Sequence, residues 1–102
     1  MARFLFAYHG GNRPADGPGF MARWRAWMDG LGAAVVDPGI AVGPSKTVSA
    51  SGVTDDGGTN PISGITVVEA SDMGAALTMA RACPHLDLGG SIEVAEAMNM
   101  KM

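Results

Sequence analysis

The sequence predicts an α+β fold in which two helices cover one face of an antiparallel sheet. Three observations carry that expectation. The opening run Arg3-Phe4-Leu5-Phe6-Ala7-Tyr8 is apolar on both alternating faces, as a strand covered on both sides would be. Two stretches with apolar residues at helical spacing are each flanked by stretches at strand spacing. Between Ala82 and Val94 the second helix is turned back into a strand. Pro84 cannot continue a helix interior, and Gly89-Gly90 admits backbone angles other residues avoid.

In the first strand Phe4, Phe6 and Tyr8 point one way; Leu5, Ala7 and His9 point the other. The loop Gly10 to Gly19 is rich in breakers. Its glycines match neither G-x-G-x-x-G nor the P-loop spacing, so a phosphate cradle is not expected. Asp16 is a plausible N-cap and Pro18 suits a first helical turn. The first helix then runs to about Gly30, with Phe20, Trp24, Trp27 and Leu31 on one face and Met21 and Met28 widening it. Two tryptophans on a core face read first as packing, and second as a ligand shelf.

Short extended pieces follow at Ala33 to Asp37 and Ile40 to Val42, broken by Pro38-Gly39. Ser45 to Ser51 is strand-like, and Gly52 to Gly58 reads as a turn containing Asp55-Asp56-Gly57-Gly58. Ile65 to Glu69 is the clearest strand. Ser71 or Asp72 caps the second helix, which runs to about Cys83 with Met73, Ala76, Leu77 and Ala80 as its stripe. The last strand is Ser91 to Glu96. The tail Met98 to Met102 either extends it, crosses a partner, or is a loosely held terminus.

This order is that of a split βαβ, or ferredoxin-like, unit forming one domain over residues 1–102. Both helices would lie on one sheet face. The other face is apolar too, and no third helix covers it; a second copy is the cheapest solution. Two such sheets face to face form a dimeric α/β barrel. Which of His9, Thr66 and Glu93 line its lumen depends on strand register.

Composition excludes several classes. The formal charge is −3 and the seven basic residues are scattered, so a nucleic-acid partner is not expected. No apolar run reaches membrane-spanning length and the start is too short for a signal peptide, so no membrane partner is expected either. One cysteine, Cys83, excludes an internal disulfide and fits a reducing, cytoplasmic setting.

The chemistry-bearing residues are few. His9 follows the first strand, where it serves either as an acid or base at a cleft mouth or as a hydrogen-bonded loop residue. His85 is a catalytic candidate whose structural alternative is bonding carbonyls at the helix end. Cys83 is a nucleophile only if its thiolate is stabilised; a small core residue is the alternative. Cys83 and His85, with His9, Asp37 or Asp87, lack any zinc-ligand spacing, so no metal and no cofactor are expected. Asp37 is either a turn former or a histidine partner. Lys46 is either an anion holder or an edge-strand guard.

The opening Phe4-to-Tyr8 strand, the aromatic first helix, Gly43-Pro44-Ser45-Lys46-Thr47-Val48, the Ile65-to-Glu69 strand, and Cys83-Pro84-His85-Leu86 to Gly90-Ser91-Ile92-Glu93-Val94 occur in this order. Together they resemble the YCII-related family, in its DGPF-domain branch. The resemblance implies a dimeric ferredoxin-like α/β barrel, mostly of unassigned function. Some relatives are small-molecule enzymes using a His–Asp pair. Here Trp24 stands nearest the family histidine and Cys83 at the family aspartate, so that pair is absent.

The expected function is small-molecule binding by a homodimer. A pocket between the first helix and the sheet edge, with Tyr8, His9 and Trp24 as its ligand-binding residues, would take a small, partly aromatic molecule. The alternative is a small-molecule enzyme using His9 or His85 as acid or base.

Overall fold

Alternating burial along two long strands fixes the architecture. The computed structural model describes residues 1–100. Strand β1 (Ala2–His9) buries Phe4, Phe6 and Tyr8; strand β5 (Ile62–Ala70) buries Gly64, Thr66, Val68 and Ala70. They pair antiparallel, Phe4 opposite Val68 and Phe6 opposite Thr66, so both buried sets share one face. Strand β6 (Ser91–Glu96) pairs antiparallel with the other side of β1, and β2 (Val35–Ala41) with the other side of β5. The sheet order is β2-β5-β1-β6. With helices after β1 and β5, this four-stranded antiparallel α+β arrangement is consistent with the ferredoxin-like expectation.

Both helices join the core on that face. Helix α1 (Gly17–Leu31) starts where the Asp16 carboxylate accepts the Gly19 N–H at 3.0 Å. It buries Trp27 and packs Trp24, Met28 and Leu31 beside it. The Trp27 indole N–H donates to the Met79 carbonyl at 3.0 Å, joining it to the second helix. Helix α2 (Met73–Arg81) is capped by Asp72, which accepts the Ala75 N–H at 2.8 Å. It buries Ala76 and Ala80, with Ala75 and Met79 against them; Met73 and Leu77 of the predicted stripe stay substantially exposed. Alanines bring this helix close to the sheet, Met79 packs inward, and Met73 and Leu77 turn outward.

Three boundaries differ from the sequence reading. The two short extended pieces are one edge strand, β2, with its pairing shifted around Pro38-Gly39. Proline is tolerated on an edge, and the bulge absorbs the extra residues. The predicted turn after Ser51 contains a strand: β3 (Thr47–Ser49) and β4 (Gly52–Thr54) form a hairpin across Ala50-Ser51. Helix α2 stops at Arg81, and residues Pro84–Leu88 form a 3-10 turn ended by Gly89 at φ 78°. Of the methionine tail, Met98 and Met100 are exposed and lie beyond β6; Met102 is outside the described residues.

Among the described residues the opposite sheet face carries no helix. Leu5, Ala7, Ile65 and Val67 lie on it, half-buried by one another. The molecule is a slab of 43 × 40 × 19 Å. No helix of the described residues is long and apolar enough to cross a membrane.

Candidate functional site

A cavity of about 530 Å³ opens between α1 and the β2–β5 side of the sheet. Missing side chains create it. On the helix-facing side of β5, Gly64 stands opposite Tyr8 and between Ile62 and Thr66. A Cβ there would lie 2.9 Å from the Ile40 carbonyl oxygen and 3.4 Å from the Tyr8 ring. Gly39, at φ 79°, abuts the Ile65 carbonyl so closely that a Cβ would collide with it. The floor is therefore backbone and small groups, while Trp24, Met28 and Phe20 from α1 form one wall.

Tyr8 and Thr66 close the inner end. The Tyr8 hydroxyl donates to Thr66 Oγ1 at 2.8 Å, and Thr66 Oγ1 donates to the Pro38 carbonyl at 3.0 Å. This chain pins the β2 bulge to the sheet. Burial drives the Tyr8 phenol well above the ordinary tyrosine range, an effect the Thr66 hydrogen bond only partly opposes. Tyr8 is thus a neutral phenol with its proton committed. It offers ring surface to a ligand, not proton transfer.

Aromatic rings run from the mouth to the back wall. Phe20 and Trp24 are 6.1 Å apart, Trp24 and Tyr8 5.3 Å, and Tyr8 and His85 5.4 Å, the last two edge to face. Trp24 is partly exposed, and its indole N–H donates to no protein group among the described residues. Arg25 and Asp29, one helical turn apart, flank the mouth. Arg23 instead reaches Asp87 at 2.8 Å, tying α1 to the 3-10 turn.

His85 is buried, and one of its ring nitrogens, Nε2, donates to the His9 carbonyl at 3.0 Å. Its ring is wedged between Gly11, whose Cβ would sit 2.8 Å from Cε1, and Gly90, where any Cβ would strike the ring. These two glycines make room for the histidine, which in turn holds the loop after β1.

The structure brings Tyr8, Trp24 and His85 to one cavity. It places the His9 side chain elsewhere. Strand alternation turns that ring to the helix-free face, where Nδ1 donates to the Asn60 carbonyl at 2.9 Å and Nε2 meets the Glu93 carboxylate at 3.0 Å. Only its backbone carbonyl, through His85, serves the cavity wall. The same register puts Thr66 on the cavity side and Glu93 on the opposite one.

The remaining candidates have structural roles. Burial pushes the Cys83 thiol up to about 11, and the Asp87 charge adds to this, outweighing the His85 backbone N–H that lowers it. The thiolate is therefore scarce near neutral pH. Asp37 accepts the Gly39 N–H at 2.8 Å, forming the bulge. Lys46 pairs with Asp55 at 3.1 Å on the exposed hairpin. No group of three His, Cys, Asp or Glu side chains among the described residues is placed to hold a metal.

Sequence reasoning missed Gly39, Gly64 and Met28. The legible signal for Gly64 was a glycine inside a run that otherwise alternates as a strand, which marks close approach or vacant space. No protein-family model matches the chain, and no curated protein is significantly similar to it.

Proposed function

We propose that this protein is a small-molecule-binding dimeric α/β barrel related to the YCII (DGPF-domain) family, with its ligand in the α1–β2–β5 cavity. The observation that carries the binding role is an aromatic wall facing a floor of glycine and backbone. Such a site takes a flat, largely apolar molecule with one or two polar anchors. Trp24 supplies stacking area and a free N–H; Arg25 supplies a cation at the mouth. The dimer is supported by the apolar face of Leu5, Ala7, Ile65 and Val67, over which no helix lies among the described residues.

A second reading is a small-molecule enzyme with His85 as acid or base. It is favoured by the place of His85 in the cavity wall. Against it stand the tight glycine sandwich around that ring and the absence of a carboxylate partner for it among the described residues.

A thermal-shift screen of the full chain with indoles and aromatic carboxylates tests the binding role. A shift is expected for the wild type, lost in Trp24→Ala and retained in His9→Ala. A shift that survives Trp24→Ala, or no shift with any member of either class, rejects the site.

A further inference from the structure

The β3–β4 hairpin is built unlike the rest of the molecule. It pairs with no strand of the main sheet. Val48 and Val53 stand directly opposite each other on it, and they are 79% and 64% exposed. A directly paired β-branched couple is what packs well across a ladder, yet no described residue covers it here. Isolated two-stranded hairpins are marginal in water. This one is fastened at its base: Lys46 to Asp55, and Thr47 Oγ1 to the Asp56 carbonyl at 2.8 Å. Gly57 packs there against Ser45 and Pro61. These contacts hold the base, and the arm carries an exposed apolar pair.

The chain also exposes more surface than a compact monomer of its mass. Its accessible surface is 6888 Å². A folded monomer of its 10.4 kDa mass exposes about 5,400 Å². The excess, about 1,500 Å², exceeds the roughly 800 Å² each partner buries in a standard interface. The radius of gyration agrees, 14.7 Å against about 13 Å for this length.

We infer that the β3–β4 hairpin is a clasping arm whose Val48–Val53 pair is buried by a second copy of this chain. This rests on the dimer reading above and extends it to a surface outside the sheet face. A second copy fits because each chain carries both surfaces, an arm and an uncovered sheet face. A two-fold axis satisfies both at once, and closes the assembly at two chains.

Sedimentation equilibrium of the full chain at several micromolar loadings tests it. Val48→Thr/Val53→Thr keeps shape and strand preference while adding hydroxyls; Val48→Asp is the harsher form. Leu5→Glu probes the sheet face separately. Expected are a wild-type dimer, a dissociation constant raised at least tenfold by each arm variant, and unchanged far-ultraviolet circular dichroism. A wild-type dimer that both arm variants leave equally tight overturns the arm while leaving the dimer standing. Arm variants that weaken a dimer indifferent to Leu5→Glu support the arm and reject the sheet face as interface. A wild-type monomer at every loading overturns both.

Discussion

Cys83 and Tyr8 set a pH dependence that a single substitution can expose. Both groups are held neutral by burial, and both ordinary values are raised. A raised group contributes stability that is full below its unfolded value. That contribution is lost as pH rises toward the folded one. For Cys83 the window opens near 9 and closes near 11. The melting temperature should therefore fall as pH rises from 8.5 to 10.5, and less steeply in Cys83→Ala than in wild type. Equal slopes would place the thiol in contact with water. At this scale the sequence was informative where one residue settles its own environment. The alternation of the first strand set the His9 ring apart from Tyr8, as the sheet has it, yet the expected pocket grouped the two; Tyr8 and Trp24 line the cavity and the His9 ring turns away to Asn60 and Glu93. What could not be read was that His9 would contribute a carbonyl and His85 a ring to one wall, because 76 residues separate them.

At the scale of elements, local chemistry and tertiary demand divide cleanly. Both helix starts were legible, since a capping aspartate acts within three residues. Asp16→Ala and Asp72→Ala should each cost about 1 kcal/mol in urea unfolding, and together about 2 kcal/mol, because the caps lie on different helices. A double variant far from that sum would mean the helices fail together. The β2 bulge was not legible. Pro38-Gly39 breaks a strand locally, and only pairing with β5 and the Thr66 bond to Pro38 rejoin it. Gly39→Ala meets the Ile65 carbonyl and a backbone angle alanine resists. It should destabilise by about 1–3 kcal/mol or more and abolish ligand shifts, while Gly57 and the hairpin stay unaffected. Retained binding in Gly39→Ala would mean the bulge does not shape the cavity. The first hairpin strand, β3, lies within the strand-like run read from Ser45 to Ser51; β4 escaped because a short extended piece beside glycine and aspartate looks like a turn.

For the whole molecule, the order of elements was legible because sheet and helix periods are intrinsic to the chain. The uncovered face was legible for the same reason: Leu5 and Ala7 beside Phe4 and Phe6 leave no polar side. A pocket beside the first helix was expected; its floor was not legible, since it arises from side chains missing at Gly39 and Gly64, on two strands far apart in sequence. The core itself is thin, and Phe6 is among its few completely buried large side chains. Phe6→Ala should cost about 3–5 kcal/mol, a large part of the stability of a domain this size. If the dimer forms, the melting temperature should climb with protein concentration in wild type. A concentration-independent transition would assign all stability to the monomer.

The position of β1 has a further consequence, for how the chain reaches this state. It is made before β5 and β6, its two neighbours in the sheet, and every other described element lies between it and β6 in the chain. Phe4 waits for Val68 on one side and Glu96 on the other. No rung of the central ladder can close until β5 has been made, so a strand with apolar residues on both faces stays unpaired while the intervening residues are added. Loop closure over such separations slows folding toward the millisecond-to-second range. It also leaves the nascent chain open to intermolecular pairing and in need of shielding.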